Sequence, residues 1–367
     1  MNACAACLHA SVLRSESLTF AERRHSSTVE VARLLRLEPE EMLEELRRDH
    51  PDIDESLAVT TERLLDEWCE REGLWTVCRH EPEFPERLRR FDSLSDVPAV
   101  IYGVGRKELF DELTDDNGLA IVGARRASAY GREVAYSLAN EAAGAGMIVV
   151  SGMALGVDGA AHRGALQGGG RTIAVLAGGP EQAYPRSHRL LHEQIRAAGC
   201  VISENPPGAQ AQRWAFVARN RLIAGLGAMT VFVEGSAESG AMHTVRFAEE
   251  LGSGIGAVPG PITGPLSVGP NKLLAVEGVT VVCGLSDVLE ELAITPMAPR
   301  LPGFADDGLD ELPAAILELI AAGDRTPREL AQSLPASVPR EISRALGQLE
   351  LRGMIERETS GEYVRRR

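Results

Sequence analysis

The feature that most constrains this chain is an alternation that begins near residue 119. Short, predominantly apolar runs lie at 119–122, 147–150, 172–177, 200–203, 229–233, 254–258 and 279–282. Amphipathic stretches at 131–144, 158–167, 187–198, 217–225 and 240–251 separate them. A strand apolar on both faces must be covered on both faces. Alternation with helices therefore predicts an α/β architecture around a mostly parallel sheet. With right-handed crossovers this becomes a doubly wound, Rossmann-like layer. Runs at 75–77 and 97–102 are expected to add edge strands or a small subdomain.

The flanks differ in pattern. Residues 1–65 read as a helical N-terminal region, with a helix start at Ser26-Ser27-Thr28-Val29-Glu30 and helical spacing of Val31, Leu34, Leu35, Met42, Leu43 and Leu46. The α/β domain is assigned to 66–295. Pro296, Pro299, Pro302, Gly303 and Gly308 mark a linker at 296–310. Residues 311–367 fit helices near 313–322, 327–334 and 338–352 and a hairpin across Ser360-Gly361, the plan of a winged helix.

Charge and cysteine usage narrow the function classes. The formal net charge of −15 argues against coating nucleic acid by bulk positive charge, yet leaves room for a local basic groove. Of the 38 basic residues, only Lys107 and Lys272 are lysines. GC-rich coding is the first explanation of that bias; guanidinium forks suited to phosphate are the second. No apolar run of about 18 residues occurs, so no membrane span is expected. The charged N-terminus is not that of a secretory signal. Six dispersed cysteines do not make a disulfide framework and fit a reducing cytoplasm. Cys4-x-x-Cys7, with His9 nearby, has metal-ligand spacing but no second ligand pair beside it, so it reads as part of a small-residue helix and no metal site is expected.

In an open parallel sheet, ligands bind beyond the carboxyl ends of the strands, where helix N-termini present free amides to anions. The turns that follow the apolar runs are therefore the candidate site. Gly123-Ala124-Arg125 follows the first; Gly123 permits close backbone approach and Arg125 is placed for a phosphate. Ser151-Gly152 follows the second and leads to Asp158, read as a helix cap, and to His162, read as packed. Gly178-Gly179 follows the third, without the G-x-G-x-x-G spacing of a nicotinamide site. Downstream, Phe216 with Arg219, Asn220 and Arg221 combines a flat ring with charge, the pairing that a single strand needs; Phe216 is as readily a core residue. Ser239-Gly240 opens a helix after the fifth run, and Lys272 sits in a later helix start. Glu234, at the end of the fifth run, reads as a structural acceptor. No Ser/His/Asp triad, metal cluster or P-loop is visible, so the rim reads as binding without catalysis and no cofactor is expected.

These turns, in this order, resemble the DprA/Smf family of bacterial DNA-processing proteins. The motifs that carry the resemblance are Gly123-Ala124-Arg125, Ser151 through His162, Tyr184-Pro185, Ser203 through Gly208, Arg219-Asn220-Arg221 with Ile223-Ala224-Gly225, Ser239-Gly240 and Val258-Pro259-Gly260. The resemblance implies cooperative binding of single-stranded DNA, homodimerisation through the Rossmann-like domain and help in loading the RecA recombinase during natural transformation. It implies no turnover. It assigns phosphate contact to Arg125, Arg219 and Arg221, and base contact to Phe216. The chain departs from the family pattern with Val217 for a usual proline, Ala218 for a frequent arginine, His188 for a common asparagine and Glu238 for a residue that is often basic. Two alternatives stand beside this reading. One is a related nucleoside monophosphate hydrolase, whose P-G-G-x-G-T-x-x-E run is missing between Glu234 and Thr244. The other is a duplex-binding regulator using Arg340, Arg344 and Arg352, interleaved with Glu341 and Glu350.

Overall fold

The computed structural model describes residues 3–23, 34, 37, 39–49, 73–91 and 97–293, together with separate positions between 316 and 349 and the segments 355–357 and 362–365. The expected helix start at 26–30 and the linker at 296–310 lie outside the described residues. The chain divides into two compact units, Met1–Arg300 and Leu301–Arg367.

The first unit is built on a nine-stranded sheet. In chain order its strands are β1 (Leu74–Cys78), β2 (Val100–Gly105), β3 (Gly118–Val122), β4 (Ile148–Ser151), β5 (Thr172–Val175), β6 (Cys200–Ser203), β7 (Met229–Phe232), β8 (Gly254–Ala257) and β9 (Val279–Val281). Their spatial order is β1-β2-β6-β5-β4-β3-β7-β8-β9. Strands β3 to β9 run parallel, whereas β1 and β2 join antiparallel beyond β6. The two runs at the start of the domain thus extend the sheet, with β1 at its edge and β2 between β1 and β6.

Helices α1 (Ala5–Arg23), α2 (Pro39–Asp49), α3 (Glu86–Arg89) and α4 (Lys107–Asp111) precede β3. The crossovers carry α5 (Ala129–Gly144), α6 (Val157–Gln167), α7 (Arg189–Ala198), α8 (Arg213–Leu226), α9 (Gly240–Glu250) and α10 (Val268–Leu273), and α11 (Leu285–Glu291) follows β9. Alternate residues of each strand serve opposite cores, as the period of two dictates. Leu119, Ile121, Val149, Met229 and Val231 pack under α5, α6 and α11. Ala120, Val122, Ile148, Val150, Ile173 and Val175 pack under α8. Both faces are dry, which is why these runs show no polar alternation.

Helices α5 and α6 pack closely because α6 carries glycine where they meet. A Cβ on Gly164 would stand 2.1 Å from the Tyr136 carbonyl oxygen, and one on Gly168 2.2 Å from that of Asn140. Real side chains never approach so closely. The N-terminal segment packs elsewhere: Leu13 and Leu18 of α1, Met42 of α2 and Leu34, which lies between these two helices in the chain, gather with Trp214 and Ala215 at the start of α8.

In the second unit, β10 (Ile355–Arg357) and β11 (Tyr363–Arg365) pair antiparallel. Ile316, Ile320, Leu330, Ile342, Leu346, Leu349, Ile355 and Tyr363 form its apolar cluster.

Candidate nucleic-acid interface

The strand order reverses between β3 and β7. Strands β4 to β6 are wound outward through α5, α6 and α7 on one face, and β7 and β8 through α8 and α9 on the other. A crevice must open where the two windings part. A cavity of about 280 Å³ lies there, lined by Gly123 and Arg125 after β3, Asp158 of α6, Phe216, Val217, Arg219 and Asn220 of α8, and Ser239 and Gly240 at the start of α9. A smaller one, about 110 Å³, adjoins it and adds Gly152, Leu155, Tyr184 and Pro185.

Arg125 is exposed, and its guanidinium carbon stands 5.2 Å from the centre of the Phe216 ring. Phe216 is half-buried and lies 5.0 Å, tilted by 51°, from the exposed ring of Tyr184. Cation, ring and second ring together form a platform at the mouth. Its position depends on Gly156. That residue has φ +82°, and a Cβ there would stand 2.2 Å from the Ala124 carbonyl oxygen and 2.7 Å from that of Arg125. The turn before α6 therefore fixes the backbone that presents Arg125. Nearby, His188 Nδ1 lies 2.9 Å from the carbonyl of Met153, a non-glycine residue at φ +54°.

The helix N-termini around the crevice differ in availability. At α5, Ser128 caps by accepting from the Gly131 amide, and Glu234 accepts from both the amide and the hydroxyl of Ser128. The chain's own carboxylate occupies the place where an anion would bind, so Glu234 is a structural acceptor, as its position after β7 suggests. At α6 the Asp158 carboxylate, in the first turn, accepts from the Ala154 amide at 3.3 Å. The N-cap is Gly156, which corrects the expectation that Asp158 caps the helix. At α9 the N-cap Ser239 makes no side-chain cap bond, and the space beside Gly240 is open. Of these three helix starts, α9 is the one left able to receive an anion through its amides and dipole.

The arginines of α8 are the main correction. Arg221 is 5% exposed and points away from the crevice. It makes a two-pronged pair with Glu204 at 2.8 and 2.6 Å and donates to the Ala218 carbonyl. Burial alone would raise the Glu204 carboxyl, but the Arg221 charge and its hydrogen bonds outweigh this and hold it below the ordinary carboxylate value. The fork expected to hold phosphate is thus spent inside the protein. Arg219, also 5% exposed, lines both cavities but donates to the carbonyls of Gly152 and Val175. Burial lowers its pKa to about 10, partly offset by Asp158. It is a charged wall rather than a reaching fork. Its Nε has no hydrogen-bond partner among the described residues. Gly152 makes room for it, since a Cβ there would stand 2.5 Å from the Arg219 guanidinium.

The remaining expected residues separate cleanly. Gly123, Gly152, Asn220, Ser239 and Gly240 line the crevice, and the Asn220 amide donates to the Gly240 carbonyl at 3.2 Å. Ser151, Gly178 and Lys272 do not line it. The Ser151 hydroxyl is fully buried and donates to the Ile121 carbonyl, because the strand continues through it. Gly178 is needed where a Cβ would stand 2.9 Å from the Ala209 carbonyl oxygen. Lys272 is exposed in the last turn of α10. His162 is packed, as expected: fully buried, it bonds Thr172 Oγ1 at 2.7 Å, and desolvation lowers its pKa to about 3. Tyr184 and Val217 belong to the site although residue type alone did not single them out. The Tyr184-Pro185 motif was the available signal for the first.

The fold also gathers a group of potential metal ligands that the sequence pattern did not connect. The sequence near Cys4 and Cys7 offers no partner pair, but the end of β1 brings Cys78 and His80 beside them. His9 is not part of that group.

Comparison with known proteins locates these features. A family model described as DNA recombination-mediator protein A matches residues 75–293. The DNA processing protein DprA of Bacillus subtilis is 34% identical over 68% of this chain and 78% of its own length. The crystal structure of DNA processing protein A from Streptococcus pneumoniae superimposes with a TM-score of 0.58 at 28% identity, covering 77% of this chain and 93% of that one. The structure of the Helicobacter pylori protein, described for its single-stranded DNA binding mode, gives 0.53 at 26% identity, covering 61% and 97%.

Proposed function

The chain belongs to the DNA recombination-mediator protein A family, and on that premise we propose that the crevice at the switch point binds single-stranded DNA. The observation that carries the reading is the platform of Arg125, Phe216 and Tyr184 beside the N-terminus of α9, which has no side-chain cap. A phosphate takes the amides of α9 and the Arg125 guanidinium, and a base lies on the Phe216 or Tyr184 ring. Arg219 supplies fixed positive potential from the wall. Nothing in this arrangement distinguishes one base from another, so binding is independent of sequence. Among the described residues, the titratable groups at the crevice are engaged within the fold: His162 is neutral and enclosed, Glu234 is tied to Ser128, and Asp158 accepts from the Ala154 amide. We read the protein as a binder without turnover.

The finer points rest on family membership. The protein passes its strand to a RecA-type recombinase, acts as a homodimer and works in the cytoplasm. Among the described residues, no helix is long and apolar enough to cross a membrane. The division into 1–65, 66–295, 296–310 and 311–367 is retained. The winged-helix reading of the tail is supported by the antiparallel pair β10–β11 beside its apolar cluster.

The test is titration of labelled oligo-dT into the full chain, followed by anisotropy over a range of salt. Affinity falls with salt by a slope of about −0.7 for each phosphate neutralised. A flat salt response, or equal affinity for duplex of the same length, would refute the reading.

A further inference from the structure

We propose that Cys4, Cys7, Cys78 and His80 form a structural zinc site that fastens the N-terminal helix to the edge of the sheet. One ligand atom from each lies within 4.8 Å of all the others. The His80 Nδ1 stands 3.4 Å from Cys7 Sγ and 3.6 Å from Cys4 Sγ. Zn–S bonds of about 2.3 Å and Zn–N bonds of about 2.05 Å at the tetrahedral angle put sulfur and nitrogen about 3.6 Å apart. The two sulfur–nitrogen separations thus match edges of a zinc tetrahedron. Four donors drawn this close surround a single ion and leave it no open position, which is the structural rather than the catalytic pattern.

The fold explains the convergence. Cys4 precedes α1 and Cys7 lies in its first turn, so a spacing of three places both on one side. Cys78 is the last residue of β1 and His80 follows two positions on, after the edge pairing has continued through the Arg79 amide to the Ala99 carbonyl. The Ala3 amide donates to Thr76 Oγ1, which holds the two segments side by side. Cys7 and Cys78 are buried among Val12, Val100 and Tyr102, while His80 is exposed. The three cysteines are free thiols.

Chemistry chooses the ion. Three thiolates and an imidazole are soft donors that suit zinc and reject magnesium and calcium. Each thiol surrenders its proton to solvent when it ligates. The consequence is mechanical. About seventy residues separate Cys7 from Cys78, and a metal clip between them fixes α1. That helix in turn packs Leu13 and Leu18 against Trp214 at the start of α8, two positions before the crevice residue Phe216.

The experiment uses the full chain, expressed with zinc in the medium and purified under reducing conditions without chelator. Elemental analysis is expected to give one zinc per chain. Cobalt exchanged into the site is expected to show the intense visible bands of a tetrahedral thiolate complex. Cys4→Ser, Cys78→Ser and His80→Ala each lose the stoichiometric metal, His80→Cys keeps it, and Cys283→Ser keeps it. Chelation lowers the melting temperature of the native chain and leaves that of Cys4→Ser unmoved. Substoichiometric zinc, iron in its place, an octahedral cobalt spectrum, a Cys4–Cys7 disulfide or full zinc in a Cys4→Ser/His80→Ala double variant would each overturn the proposal. The cobalt spectrum and the His80→Cys rescue remain decisive if a serine variant fails to fold.

Discussion

Arg125 and Arg221 are both arginines of expected phosphate-binding motifs, but the structure gives them opposite tasks, and replacing each with alanine separates the two. Arg125 is exposed and, among the described residues, has no carboxylate partner. Its loss leaves folding nearly unchanged, since an exposed cation over a ring contributes about 0.5–1 kcal/mol. A hydrogen bond to a charged group is worth about 1.5–3 kcal/mol, so Arg125→Ala weakens oligo-dT binding by about 10- to 100-fold at low salt. One fewer phosphate contact also flattens the salt slope by about 0.7, so the gap to the native protein narrows about 2.6-fold between 50 and 200 mM salt. Arg221→Ala leaves the buried Glu204 carboxylate unpaired. Breaking such a pair costs about 3–5 kcal/mol. That corresponds to a fall in melting temperature of roughly 6–20 °C for a domain of this class, with the salt slope of the folded fraction unchanged. Calorimetry and anisotropy on both variants provide the assay. Binding within twofold of native for Arg125→Ala, or a native melting temperature with lost binding for Arg221→Ala, would refute the assignment.

Phe216→Ala is expected to weaken binding by the worth of one stacked base, about 1–3 kcal/mol, without changing the salt slope, while Phe216→Tyr retains most affinity; anisotropy against salt separates these. Gly156→Ala combines a φ of +82° with a Cβ 2.2 Å from the Ala124 carbonyl, so it loses affinity through displacement of Arg125 as well as stability. Gly164→Ala, which crowds only the α5–α6 packing, loses stability and keeps the affinity of the folded fraction; paired melting and binding curves check the contrast. His162 sets a pH dependence. Its folded pKa is lowered from 6.5 to about 3, so the unfolded chain binds the extra proton. Its contribution is complete above pH 6.5 and is lost as pH falls toward 3, by up to about 1.4 kcal/mol per unit. Denaturant titrations at stepped pH are expected to show that slope, and to show it reduced in His162→Gln.

The layered sheet was legible because its signals are local. Runs apolar on both faces and the helices between them are written in periods of two and 3.6, and glycine after a strand marks a close approach wherever the strand ends up. Those local signals mark the turns that carry Gly123, Arg125, Phe216, Asn220, Ser239 and Gly240, which the fold gathers around one crevice. What the local pattern could not contain was the partner of each charge. Arg219 and Arg221 stand two positions apart on α8, so they face different directions: one looks to Asp158 and the crevice wall, the other to Glu204 across the end of β6. The carboxylate that caps the start of α5 comes from Glu234, just after β7, and Asp158 in the first turn of α6 takes the amide of Ala154 in the preceding loop. Cys4 and Cys7 met Cys78 and His80 only because strand β1 ends against α1. Periodicity fixes which face of an element is buried; which two faces come to lie against each other depends on the packing of the whole sheet, and so did the division of these arginines and cysteines between structure and function.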